Sequence, residues 1–362
     1  MGFFFYTSKL SQCMLKSQQD EYGNSKSTRG VKWMNYTSKC PNCGSSMVFS
    51  PEKQQLFCEH CETEIEPSNT AVHKHGEDAW HCLVCGGNLE VPAATTMAVL
   101  CPYCHSPNII GSQAEGEYKP DVIIPFFISK RQAEDILRVR LRKNKFGPTQ
   151  RVLATSIEHL HGTYVPYWMF DFDTVGFGEY DCRTIRHHSD SEYDYTVTRY
   201  YRVTREVKVS YDNIPSDGLV AMDDQISYDL EPYDYQELTP FQFNYLMGFQ
   251  ADRYDVNRET GENVARRKLS QFVDEELQNT IHGYDTILKL GGTIDATATD
   301  SNAALFPVWV TELRYNNKNF PIFINGQTGK VIGTFPKSKL KIGFTFAIAF
   351  LICFLLTQMI FR

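Results

Sequence analysis

The sequence predicts an α+β fold, and three observations carry that prediction. Eight of the eleven cysteines fall into four C-x-x-C pairs between Tyr36 and Gly111. Aromatic and β-branched residues alternate in bounded stretches through the middle of the chain, with helical spacing before and after them. The chain closes on an almost uniformly apolar run, Ile342 to Phe361. Together they predict tandem four-Cys zinc ribbons, a mostly antiparallel β domain with flanking helices, and one C-terminal transmembrane helix. The expected segments are a disordered leader (1–35), the tandem ribbons (36–111), a linker (112–120), an α+β domain (121–336), and a basic stop with the membrane helix (337–362).

Each ribbon rests on cysteine spacing. Cys40 and Cys43 (CPNC) are followed after fourteen residues by Cys58 and Cys61 (CEHC), and Cys82 and Cys85 (CLVC) after fifteen by Cys101 and Cys104 (CPYC). Two residues between cysteines form a tight knuckle that aims both thiolates at one ion about 2.3 Å away, and a hairpin brings up the second knuckle to complete a tetrahedron. Two ions, Zn(2+) by preference, are therefore expected, with iron as the chemical alternative because four thiolates accept either. A redox C-x-x-C belongs at a helix start in a βαβ unit, and that context is missing. Gly44 and Gly86 follow their knuckles, where a positive φ is common. His60, His73, His75, His81 and His105 crowd the same region, but each site already has four thiolates, so they are read as exposed. Met47–Phe49, Leu56–Phe57 and Val99–Leu100 read as ribbon strands.

Charge narrows the partner class. The whole chain carries a net charge of -7, which gives no global pull toward phosphate backbones. From Tyr36 to Gly111 three lysines and no arginine face eight acidic residues, a net of -5. Each dication bound to four thiolates adds about -2, taking the module to about -9. Nucleic-acid affinity comes largely from counterions released by Lys and Arg, so nucleic acid is an unlikely partner and protein contact is favoured.

At the N-terminus, MGFFFYTSKLSQ lacks a positive n-region and has too short an apolar run for a signal peptide. Residues 7–33 are polar and read as disordered; Met34 opens directly onto the first ribbon and is a candidate natural start. In the middle of the chain, Val122 to Phe127 has strand character. Ser129 with Gln132 fits a capping box before Ala133, Ile136, Leu137 and Leu141 at helical spacing. That helix carries a basic face, Lys130, Arg131, Arg138, Arg142 and Lys143, followed by Lys145 and Arg151; such faces are usually solvated, with anionic lipid, nucleic acid or another partner as the alternative. Tyr164–Phe172, Gly176–Arg183, Asp194–Val203 and Glu206–Tyr211 read as a meandering antiparallel sheet. Helical spacing returns between Thr239 and His282, with Leu246, Phe249, Val264, Leu269, Phe272, Val273 and Leu277 as core candidates. The final strands are Leu305–Tyr315, Phe320–Ile324 and Lys330–Phe335, with Asn325–Gly329 (NGQTG) as a hairpin turn. VPYWMFDF from Val165 echoes FPVWVTEL from Phe306.

No catalytic constellation emerges, and a non-enzymatic protein is expected. GQTGK at Gly326 is too short for a phosphate-binding loop. Asp171 with Asp173, Asp223 with Asp224, and His187 with His188 have ordinary strand-end and loop readings. Tyr167, Trp168 and Trp309 read as core or interface.

The apolar run Ile342–Phe361 contains only Thr345, Thr357 and Gln358 as polar members, and at 1.5 Å per residue it spans about 30 Å, the thickness of a bilayer core. Lys330, Lys337, Lys339 and Lys341 precede it and Arg362 follows, so the positive-inside tendency places the large N-terminal part in the cytoplasm of a single-pass cell-membrane protein.

The order of these segments resembles a bacterial family of transcription-factor-IIB-type zinc-ribbon membrane proteins, often mislabelled as primosomal protein or helicase. The residues that carry the resemblance, across about 36–340, are the eight cysteines, GTYVPYWMFD (Gly162–Asp171), PFQFNYLMGFQADRY (Pro240–Tyr254), FPVW (Phe306–Trp309) and NGQTGKVIGTFP (Asn325–Pro336). It implies an accessory role in an envelope-stress assembly, with phage-shock-type and band-7 or virion-core-type proteins as candidate partners. The expected function is thus a membrane-anchored adaptor that recruits cytosolic or membrane proteins; the alternative is a zinc-ribbon nucleic-acid-binding regulator or replication accessory protein. A helicase label fits poorly, since no phosphate-binding loop or motor core is seen.

Overall fold

The computed structural model describes residues 34–67, 72–76, 81–89, 95–110, 119–148, 157 and 159–360. The expected leader and linker, at 1–33 and 112–118, lie outside the described residues, as do Arg151 and Arg362. The fold is α+β, with mostly antiparallel pairing, four helices among the described residues and two four-cysteine clusters.

In chain order the strands are β1 (Met34–Ser38), β2 (Val48–Ser50), β3 (Gln55–Phe57), β4 (Glu64–Ile65), β5 (Val72–Gly76), β6 (Thr96–Leu100), β7 (Pro107–Ile110) and β8 (Val122–Ile123). Helix α1 (Lys130–Lys143) follows, then β9 (His161–Ser189), β10 (Asp194–Asp217) and α2 (Asp224–Leu230). The chain continues through β11 (Thr239–Pro240), β12 (Gln250–Asp252) and α3 (Arg258–Asn279) to β13 (Thr286–Tyr315), β14 (Lys318–Asn325), β15 (Val331–Gly333) and α4 (Lys339–Ile360).

Two compact units divide this chain, and they cut it differently from the expected segments. One holds the described residues up to Pro166, Leu219–Asp255 and Leu305 onward; the other holds Tyr167–Gly218 and Val256–Ala304. In the first unit the cysteine-rich region is part of a larger core. β1 lies between β5 and β7, β7 pairs β6, and β6 pairs β12 through Ala98 and Ala251. Met47, Phe49 and Leu56 share one apolar cluster with Phe126, Leu137, Leu246 and Trp309. The Phe49 amide donates to Met247 O at 2.8 Å, and Gln54 Nε2 donates to Phe126 O at 2.8 Å.

The apolar run after the linker is only briefly a strand. Pro125 has no amide to donate, and Phe126 turns inward to stack on Phe249 at 4.1 Å and to meet Tyr164 and Trp309 edge-on at 5.0 Å. The capping box on α1 is present, with Ser129 N donating to Gln132 Oε1 at 2.8 Å, and Ala133, Leu137 and Leu141 are buried. The NGQTG turn joins β14 to β15 as expected. Its Asn325 is buried: Nδ2 donates to Leu230 O and Pro232 O at 2.9 and 3.3 Å, and Oδ1 accepts from the Gln327 and Thr328 amides at 2.9 Å. Replacing it by alanine, Asn325→Ala, leaves buried carbonyls and amides without partners. The expected loss is about 2–4 kcal/mol, read as a lower denaturation midpoint with an unchanged m-value.

The second unit corrects the meander. Two long strands replace four short ones: β9 and β10 form one continuous antiparallel ladder from Tyr167↔Asp217 to Ser189↔Asp194, interrupted by a bulge between Tyr211 and Ile214. Asp190 closes its turn, accepting from the Glu192 and Tyr193 amides at 2.9 and 2.8 Å. Gly176, the expected start of a short strand, sits mid-strand where α3 crosses; a Cβ would lie 2.4 Å from Val273 Cγ1. The expected helical stretch from Thr239 contracts to α3, which buries Gly261, Ala265, Leu269, Val273 and Leu277 and leaves Val264 and Phe272 half-buried. The residues before it form β11, a 3-10 turn at Phe243–Leu246 and β12, with Leu246 and Phe249 buried in the first unit. Strand β13 starts nineteen residues earlier than the expected Leu305. The echoed motifs share a role: Trp168 Nε1 donates to Val256 O in the second unit and Trp309 Nε1 to Ile128 O in the first, each at 2.9 Å.

Candidate metal centres

Four copies of one local structure build the two clusters. Each knuckle is bracketed by a cross-chain pairing one residue before its first cysteine: Lys39↔Ser46, Phe57↔Glu64, His81↔Asn88 and Leu100↔Pro107. Within each, the amide after the second cysteine donates back to the first cysteine's carbonyl, from Gly44, Glu62, Gly86 and His105 at 2.8–2.9 Å. All four of these residues have positive φ, between 56 and 74°. Glycine fills the position in the leading knuckle of each cluster; Glu62 and His105 hold it without glycine.

The knuckles converge in pairs. Cys40, Cys43, Cys58 and Cys61 form one group and Cys82, Cys85, Cys101 and Cys104 the other, with all ligand atoms of a group within 4.8 Å of one another. The shortest sulfur separations run between knuckles: Cys40 to Cys61 and Cys43 to Cys58 at 3.5 Å, Cys82 to Cys104 and Cys85 to Cys101 at 3.6 Å. A regular tetrahedron with 2.3 Å arms has edges of about 3.8 Å, so each group fits one metal ion. The separations are far above a disulfide bond of about 2.05 Å, and all described cysteines are free. His60, His81 and His105 are exposed and join neither group; the side chains of His73 and His75 lie outside the described residues.

Burial and hydrogen bonding pull the thiols apart. The Thr63 hydroxyl, 3.0 Å from Cys61 Sγ, is the leading cause that lowers this thiol to about 6. Burial opposes ionisation of Cys82, but the Ser106 hydroxyl and the Cys85 and Val84 amides outweigh it and bring the thiol to about 6. The Cys61 amide favours the Cys58 thiolate, yet burial and the neighbouring sulfurs push that thiol up to about 11. For Cys85 the Gly87 amide is likewise overcome by Cys104 and burial, and the thiol rises to about 12. Four thiolates at one point need a cation to coexist, and binding one expels the remaining protons.

Sequence reading missed the residues that steady the sulfurs. Ser106 Oγ lies 3.1 Å from Cys82 Sγ and 3.0 Å from Cys104 Sγ, and Asn108 Nδ2 lies 3.7 Å from Cys82 Sγ. Thr63 and Ser106 each stand two residues past a knuckle's second cysteine, a repeat that was visible. Ser106→Ala is expected to weaken metal binding at the second cluster about 10-fold or more, measured by competition with a chromophoric chelator, while the first cluster is unchanged.

Helix α4 is the other candidate feature. Lys339–Met359 is long and apolar enough to cross a membrane, and none of that stretch is buried.

Comparison with known proteins places the chain. It is 32% identical over 315 residues to a protein described as "Uncharacterized protein YdjG" of Bacillus subtilis (strain 168), covering 85% of this chain and 92% of that relative. The chain belongs to the YdjG family. The match extends over more of the chain than both clusters occupy, so the relationship is one of whole architecture. No protein-family model matches the chain, and no solved structure matches it.

Proposed function

We propose that this member of the YdjG family is a non-enzymatic adaptor. In this reading two zinc ions fill the four-cysteine clusters, α4 anchors the chain in the cell membrane with the large N-terminal part in the cytoplasm, and the cysteine-rich face recruits protein partners. The transcription-factor-IIB-type kinship of the ribbons belongs to the same proposal, as do phage-shock-type and band-7 or virion-core-type proteins of an envelope-stress assembly as partners. The observation that carries it is the contrast between the two clusters' outer surfaces. Between the cysteines the first ribbon carries Pro41, Asn42, Glu59 and His60, whereas the second carries Val84 and Tyr103, exposed by 49% and 69%. Exposed apolar and tyrosine side chains in an acidic setting favour a protein partner over nucleic acid.

A crosslinked affinity capture tests the reading. Deleting 36–111 would also remove core residues such as Phe49 and Leu56, so surface variants are the cleaner tool. The double variant Val84→Asp/Tyr103→Asp is expected to keep both metals and membrane association and to lose at least one partner captured by the unaltered chain. An unchanged partner set would count against the adaptor. Micromolar binding of DNA or RNA that weakens steeply with added salt would favour the regulator instead.

A further inference from the structure

Sequence separates the basic end of α1 from the membrane helix by nearly two hundred residues; the fold joins them. Ser338 N donates to Phe146 O at 2.6 Å, Lys341 Nζ to Gly147 O at 2.7 Å, and Asn144 Nδ2 to Pro336 O at 3.1 Å. Arg140 sits 5.2 Å from the Phe335 ring. These contacts set Arg142, Lys143 and Lys145 beside Lys337, Lys339 and Lys341, all six exposed, at the start of an apolar helix. No acidic residue occurs in Val139–Gly147 or in Phe335–Lys341. The acids of α1, Glu134 and Asp135, lie toward its other end, and Glu134 pairs with Arg138 at 3.3 Å. Favourable interaction with the helix dipole accounts for cations in the last turn of α1, but not for Lys145 or for the hydrogen bonds that tie this end to 336–341. Among the cations, Phe146 and Leu340 are exposed by 39% and 86%, an arrangement suited to the boundary between headgroups and acyl chains.

We propose that the C-terminal end of α1 and the segment before α4 form one basic collar that binds the headgroups of anionic phospholipids where α4 enters the bilayer. The proposal rests on the membrane-anchor reading and adds a lipid class to it. Polybasic segments at a membrane base draw anionic lipid, with about a fivefold gain per cation near the surface.

The test uses the full chain in nanodiscs of phosphatidylcholine alone or mixed with phosphatidylglycerol, probed with a membrane-impermeant amine reagent and read by mass spectrometry. Lys143, Lys145, Lys337 and Lys339 are expected to label several-fold more slowly in the phosphatidylglycerol discs, and added salt should erase the difference. Lys53, paired with Glu64 in the first ribbon, should label equally in both. The exposed-site variant Arg142→Gln/Lys145→Gln is expected to insert normally and to reduce the lipid-dependent protection of Lys337 and Lys339. Insertion with equal labelling in both discs overturns the collar and leaves the anchor standing. Failure to insert in either disc overturns the anchor itself. Protection in phosphatidylcholine discs by inorganic phosphate or an oligonucleotide, with none from phosphatidylglycerol, also overturns the collar.

Discussion

Cys40→Ser and Cys82→Ser are each expected to lower the metal content from two ions per chain to one. Three thiolates hold zinc far less well than four, and apparent binding free energies of structural sites, about 10–16 kcal/mol, leave a large amount to lose. The two variants should differ in stability. Cys40 and Cys58 belong to the main apolar cluster of the first unit, with Phe126, Leu246 and Trp309, whereas Cys82 and Cys101 form a small cluster with Leu89 and Val99. Loss of the first metal should therefore lower the unfolding midpoint of the whole unit, and loss of the second should mainly loosen the second four-cysteine cluster, visible as local hydrogen exchange. Acidification should act in the same direction as substitution. Thiols as high as Cys58 at about 11 and Cys85 at about 12 are protonated at neutral pH without metal. Affinity therefore falls as pH falls, by about tenfold per unit for each proton displaced. Elemental analysis by plasma mass spectrometry, with thiol counting, reads the stoichiometry. A chain that holds no metal, or whose two ions survive both substitutions, would refute the metal reading.

The two four-cysteine groups were legible in the sequence because a knuckle is local: two intervening residues and one left-handed turn determine where both sulfurs point. The capping box at Ser129 and the turn at Asn325 were legible for the same reason, each being closed by atoms two or three residues apart. What stayed hidden depends on distant partners. β12 is three residues long and pairs with β6 more than 150 positions earlier, and nothing local marks it. The long ladder of β9 and β10 reads as four strands because the apolar alternation breaks at 173–175 and again at 204–205, while the pairing between the two strands runs through both breaks. β13 was shortened because Gly291 and Gly292 and its run of small polar residues lack a strand signature. Gly292 is needed there by close approach, since a Cβ would lie 2.2 Å from Phe177 O. The long apolar helix α4 was the opposite case, since composition and length alone mark it.

Removing Ile342–Arg362 is expected to move the protein from the membrane fraction to the soluble fraction. α4 runs for 22 residues, about 33 Å at 1.5 Å per residue, enough for a bilayer core. Its large side chains face outward, with Phe344 70%, Phe346 72%, Phe350 75% and Met359 79% exposed. A helix of a soluble core would bury one face at least, so this surface needs either lipid or a partner, and carbonate extraction separates the two. An integral helix resists high pH, whereas a docked helix is stripped with its partner. The full chain should stay in the pellet and the truncated chain in the supernatant. Leu351→Arg, at the middle of the run, adds about 2.5–3.5 kcal/mol to the insertion cost and should shift part of the protein to the soluble fraction without touching the clusters. A protease-protection assay then reads orientation, with the N-terminal part expected on the cytoplasmic side from the lysines at 337, 339 and 341. Full extraction of the intact chain by carbonate would mean that α4 packs on protein, and the anchor would have to be given up.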